Sequence, residues 1–118
     1  MHSAIEVVNT YFEAMRAGPD GAKRLFPLFA KDAIYVEPFA GETRTHRGRP
    51  AIEACFNISW KSAPPEMKIK INRIDVDGET VRSDWTCSSP AFPAPVKGTD
   101  ICVVRGGLIH QLTVEIHA

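Results

Sequence analysis

Pro64-Pro65-Glu66-Met67-Lys68-Ile69-Lys70-Ile71-Asn72-Arg73-Ile74-Asp75-Val76-Asp77-Gly78, residues 64–78, is where this sequence changes its period. Before the paired prolines the apolar residues recur at helical spacing; after them they alternate. Met67, Ile69 and Ile71 point one way and Lys68, Lys70 and Asn72 the other, which predicts a strand with one face on a core. The apolar phase then moves to Ile74 and Val76, a slip that exposes the core face unless a bulge absorbs it. Asp77-Gly78 signals a tight hairpin. Beyond it Val81, Ser83, Trp85 and Cys87 share one strand face, with Arg82, Asp84, Thr86 and Ser88 opposite.

Reading outward, a proline-rich connection over residues 89–95 leads to a strand over 96–105, a Gly106-Gly107 turn, and a last strand over 108–117. In the other direction, Ile5, Val8, Phe12 and Met15 mark an amphipathic helix over 5–17, with Ser3 and Glu6 spaced as a capping box. Gly18-Pro19 stops it. A second helix carries Leu25, Leu28 and Phe29 and is shortened or made irregular by Pro27. A strand follows over 33–37, then a polar stretch over 41–48 that is a loop or a short edge strand. A third helix over 51–61 places Ile52, Cys55, Phe56 and Trp60 on one side. Helices first and long strands afterwards make an α+β pattern, and residues 1–118 form one domain.

At 118 residues, 44% hydrophobic and 24% charged, the chain suits a single core. Its formal net charge is zero, so nothing steers it toward nucleic acid or an anionic membrane. The opening lacks a signal-like pattern and no apolar run is long enough to span a bilayer. Cys55, Cys87 and Cys102 form an odd set without CxxC spacing, which fits free thiols in a cytoplasmic protein. The nucleotide-binding glycine motifs and the GxSxG elbow are absent. His2, His46, His110 and His117 lack zinc-site spacing and cysteine partners, so neither a metal nor a cofactor is expected.

What remains is a few polar residues on apolar elements. Tyr11 lies beside the helix stripe and reads equally as a core aromatic with its hydroxyl at the edge. Tyr35 and Glu37 share one face of the first strand and Ile34 and Val36 the other; hydrophobicity turns Ile34 and Val36 inward and leaves Glu37 solvated. Asp100 shares a face with Cys102 and Val104. An acid on such a face tends to keep its proton, unless it sits where water reaches the sheet.

Tyr11-Phe12-Glu13-Ala14-Met15-Arg16-Ala17-Gly18, Leu28-Phe29-Ala30-Lys31-Asp32-Ala33 and Glu37-Pro38 resemble the opening of ketosteroid isomerases and of the wider SnoaL-like polyketide cyclase group. Arg47-Gly48, Ala51-Ile52, Gly98-Thr99-Asp100 and Gly107-Leu108-Ile109 continue the likeness along nearly the whole chain. The resemblance implies a nuclear transport factor 2-like fold, a cone-shaped, curved antiparallel sheet packed on N-terminal helices around one pocket. It implies that Tyr11 and a protonated Asp100 hydrogen-bond a developing oxyanion, and that Glu37 stands where the isomerase base, normally aspartate, lies. Ketosteroid isomerase is itself the standard illustration of such an acid kept neutral. Glutamate at the base position displaces the carboxylate by about a bond length, where ~1 Å can cost ~100-fold.

Phe39, Phe56, Trp60, Trp85 and Cys102 are the expected lining of the pocket, and Arg44, His46 and Arg47 a basic loop that is solvated or meets an anionic ligand. The activity so implied is cofactor-free proton transfer beside the carbonyl of a small apolar substrate. The alternatives are a small-molecule-binding protein without turnover, and epoxide hydrolysis, which needs a carboxylate pair and an arginine around a water. The resemblance also implies a homodimer through the outer face of the sheet.

Overall fold

The computed structural model describes residues 3–117. Helix α1 (Ala4–Arg16) starts at Ser3, whose hydroxyl accepts from the Glu6 backbone N–H, one of the otherwise unpaired donors of a first turn. Its buried side is Val7, Val8, Tyr11, Phe12 and Ala14, while Ile5 is exposed. The stripe is therefore rotated from the one hydrophobicity suggests, and Tyr11 lies within it. Close packing sets the rotation: a Cβ on Gly21 would run into the Ala14 carbonyl, so the next turn can press onto α1 only there.

Two 3-10 turns, Gly18–Gly21 and Phe26–Leu28, flank α2 (Ala22–Leu25), each carrying a proline in its first two positions. The second helix is thus as short as Pro27 requires, and Phe29 already belongs to the sheet. The strands are β1 (Phe29–Glu37), β2 (Arg44–Arg47), β3 (Lys68–Asp77), β4 (Thr80–Ser88), β5 (Val96–Arg105) and β6 (Leu108–His117); α3 (Arg49–Lys61) lies between β2 and β3. The polar stretch after Gly41 is the edge strand β2.

The sheet order is β2-β1-β6-β5-β4-β3. Every neighbouring pair is antiparallel except β1 with β6, which is parallel, so the sheet is mixed and not wholly antiparallel. No hairpin joins those two strands; most of the chain separates them, and that freedom permits the parallel pairing. The phase slip in β3 is absorbed where expected, by a register shift between Ile71 and Arg73 that leaves Asn72 out of the ladder. Ile69, Ile71 and Ile74 consequently all pack against the core. Gly106 and Gly107, with φ of 60° and 78°, supply the left-handed pair that a two-residue hairpin loop needs.

One face of the sheet holds Val81, Ser83, Trp85, Asp100, Cys102, Leu112 and Val114, and α1 and α3 pack against the sheet. Among the described residues no helix is long and apolar enough to cross a membrane.

Candidate active site

Pairing of β1 with β2 sets Glu37 opposite Arg44 and Tyr35 opposite His46. Directly opposed residues share a face, so all four side chains project the same way. That face is the inner one: Ala33, Tyr35 and Glu37 are buried, and Ile34 and Val36 only half-buried. Hydrophobicity alone assigns the opposite orientation. It fails because α3 packs over the Tyr35 side, where Phe56 stacks on Tyr35 at 5.2 Å with an interplanar angle of 11°.

A buried carboxylate needs compensation. Glu37, 1% exposed, receives it from three donors. The Phe39 N–H donates to Oε1 at 2.8 Å, and Arg44 Nε and His46 Nε2 both meet Oε2 at 2.8 Å. Burial pushes this carboxyl upward, but the bonds from His46, Phe39 and Arg44 outweigh it and hold the group below its ordinary range. An ionised carboxylate only accepts, so His46 carries its proton on Nε2. Of the roughly four acceptor positions of a carboxylate, three are filled, and the open one is on Oε1.

Asp100 lies in the opposite environment. It is 4% exposed on β5, and burial raises its carboxyl to about 7 against the lowering effect of the Trp85 indole, which donates from Nε1 to Oδ1 at 2.9 Å. Gly98 makes that bond possible. A Cβ there would strike the Trp85 ring and stand 2.6 Å from the Glu115 carbonyl, so the indole can lie across the strand only over glycine. Gly98→Ala should therefore destabilise the fold by ~1–3 kcal/mol, as overpacking does. Trp85 fluorescence should shift as the indole leaves Asp100, and an unchanged spectrum together with unchanged stability would contradict this account.

Tyr11 meets Phe12, Phe29 and Phe56 edge-on. Burial, then the charge of Asp100, then Tyr35 and Cys102, raise its hydroxyl well above the ordinary value, so it stays a donor. Tyr35 is raised in the same way by burial and by Cys55, Asp100 and Glu37. Tyr11 thus feels the charge of Asp100, and Tyr35 feels the charges of both Asp100 and Glu37.

Of the residues expected to line a pocket, Phe56, Trp85 and Cys102 are buried in this interior. Trp60 packs on Phe26 and Phe56 and donates its indole N–H to the Met15 carbonyl. Phe39 is 55% exposed, so it contributes its backbone N–H to Glu37 and turns its ring outward.

Sequence reasoning passed over Tyr35 and Cys55, and treated Arg44 and His46 as a basic loop. The signal that finds Tyr35, Arg44 and His46 is the spacing Tyr35-x-Glu37 and Arg44-x-His46 about a short turn, which in a hairpin puts an acid opposite a base; Cys55 has no such local signal. Two open surface clefts, of about 550 and 270 Å³, lie apart from the cluster: one beside Phe26, Arg49 and Glu53, the other beside Lys68 and Ser89. With Tyr11, Tyr35, Glu37 and Asp100 all nearly inaccessible, a ligand reaches them only by parting the residues around them.

A six-stranded mixed sheet closed on one side by N-terminal helices, with polar groups gathered inside it, defines an α+β protein of the NTF2-like kind. The chain belongs to the SnoaL-like domain family, whose model matches residues 8–112. Three solved structures bear out the fold. A candidate polyketide cyclase from Sinorhizobium meliloti is 23% identical with a TM-score of 0.79, over 97% of this chain and 100% of that one. A candidate ketosteroid isomerase from Kribbella flavida is 17% identical with a TM-score of 0.76, over 98% and 78%. An LEH-like epoxide hydrolase from M. tuberculosis is 16% identical with a TM-score of 0.76, over 97% and 82%. Proteins of this fold thus carry the names of several chemistries. No match is found among curated proteins.

Proposed function

We propose that this protein is a cofactor-free proton-transfer enzyme acting beside the carbonyl of a small apolar substrate, as an isomerase or a cyclase. The observation that carries the reading is the divergence of two buried acids whose charges both reach Tyr35. Glu37 is held ionised, while Asp100 is raised to about 7 and keeps its proton over the acid and near-neutral range. Such a pair supplies a base and an acid from the same residue class. Glu37, through Oε1, takes the proton from the carbon next to the carbonyl. Tyr11 and protonated Asp100 donate to the enolate oxygen as its charge grows. Returning the proton to another carbon isomerises the substrate; attack of the enolate on a second carbonyl cyclises it.

The test is turnover of a β,γ-unsaturated ketone by wild type and Tyr11→Phe. The variant keeps the ring packing and loses one oxyanion donor, so kcat should fall by about 10²–10³-fold with little change in KM. Equal kcat in the two proteins would remove Tyr11 from the mechanism.

One observation favours a second reading, a binding protein without turnover: three of the four acceptor positions of Glu37 are already occupied. That reading expects a phenol to bind with a change in tryptophan fluorescence, and wild type to leave every enone unconverted. In either case we propose a homodimer through the outer sheet face, where Ile34, Val36, Ile101 and Val103 are half-buried. A monomer by light scattering would refute it.

A further inference from the structure

The pairing of β1 with β2 and the packing of α3 bring together three ligand types that the sequence holds apart. A carboxylate oxygen of Glu37, a ring nitrogen of His46 and Sγ of Cys55 all lie within 4.8 Å of one another. We propose that these three residues bind a zinc-class divalent cation. Histidine spacing gave no hint of it, because each ligand comes from a different element. In the folded chain His46 does have a cysteine partner.

The donor set is one oxygen, one nitrogen and one sulfur, the mixture that suits zinc, with bonds of about 2.0–2.3 Å and a fourth position left for water. Starting from separations no greater than 4.8 Å, small side-chain rotations close the ligands on a common centre. Each ligand is already oriented: Glu37 by the Phe39 N–H, His46 by its ring against Tyr35 at 5.6 Å, and Cys55 by the rigid turn of α3.

Charge is the opposing consideration. Arg44 sits 2.8 Å from the same carboxylate and repels a cation. It is 44% exposed, so it can turn to water, whereas the Glu37 carboxylate is 1% exposed and cannot. A Glu37 carboxylate and a Cys55 thiolate together carry two negative charges, which a divalent ion neutralises. On binding, the Cys55 thiol releases its proton to solvent and the proton of a neutral His46 moves from Nε2 to Nδ1, so one proton leaves per cation. The site is independent of Tyr11 and Asp100; an ion there occupies the acceptor positions of Glu37 and silences it as a base.

Cobalt(II) chloride titrated into the reduced, metal-free protein is the probe. The expected result is a thiolate-to-cobalt charge-transfer band with the visible bands of a four-coordinate ion, bleached by one equivalent of zinc. Cys55→Ser should abolish the charge-transfer band, Cys87→Ser and Tyr11→Phe should keep it, and His46→Gln should weaken cobalt binding by at least about tenfold. A wild-type protein without the band, or a band that survives Cys55→Ser, overturns the proposal. Should Cys55→Ser fail to fold, His46→Gln decides, and unchanged affinity there overturns it equally. Because Tyr11→Phe lowers turnover without touching these ligands, failure of the metal site and failure of the proton-transfer reading give different results.

Discussion

Glu37→Gln is expected to lower kcat for enone turnover by about 10²–10⁴-fold, the contribution of a positioned general base. Glutamine keeps the shape of the side chain and can still accept from the Phe39 N–H, so the β1–β2 turn retains its main restraint. It loses the charge, and with it the ability to take a proton from carbon. Arg44, partly in solvent, rehydrates. The fall should be in kcat and not in KM, since the carboxylate acts as the proton moves and not as the substrate docks. Equal turnover by Glu37→Gln and wild type would end the base assignment while leaving Tyr11 and Asp100 as a binding site.

The pH profile of the same reaction separates the two acids. A base works when deprotonated, and Glu37 lies below its ordinary 4.5, so kcat/KM should hold as pH falls until below that value. A donor acid works when protonated, and Asp100 lies at about 7, so the rate should decline as pH rises through about 7. Asp100→Asn, whose amide donates at any pH, should remove the alkaline decline and leave the acid limb in place. A decline that persists in Asp100→Asn would assign it to another group.

How far the sequence reveals this arrangement depends on the kind of force that fixes each part. The strands from Lys68 onward are written in their alternation, down to the bulge at Asn72, because burial on one face acts residue by residue. Asp100 was legible for the same reason: its neighbours Cys102 and Val104 put it on the buried face. Tyr35 and Glu37 were not. Taken alone, β1 buries Ile34 and Val36; the outcome is decided by α3, thirteen residues folding onto the other face, and by the donors that β2 brings. The proximity of Cys55 to His46 is likewise a product of tertiary packing, since no local rule relates a helix residue to an edge-strand residue. Gly98 shows the reverse case. Its need for space comes from a tryptophan thirteen positions earlier, and the strand period places Trp85 and Asp100 on the same face without disclosing that the indole crosses the glycine to reach the acid.

Asp100→Asn should stabilise the fold above neutral pH. An acid whose carboxyl rises from an ordinary 3.8 to about 7 on folding binds its proton more tightly in the folded chain, at a cost on the order of 4 kcal/mol once both states are ionised. The sign follows from proton counts. Below 3.8 both states hold the proton and the residue is neutral in effect. Between 3.8 and about 7 only the folded state holds it, so stability falls as pH rises; above about 7 the full cost is present. Asparagine carries no charge and still accepts the Trp85 N–H, so the variant should match wild type near pH 4 and exceed it at pH 8. Glu37 does not imitate this, because its contribution is present above 4.5 and is lost only as pH falls further. A buried acid that weakens its own fold at working pH is what a retained functional group looks like, since replacing it would strengthen the protein. Urea denaturation of both proteins across pH 4–8 measures the difference directly. Parallel curves over that range would show that Asp100 ionises as easily inside the fold as outside it, and would remove the protonated donor from the mechanism.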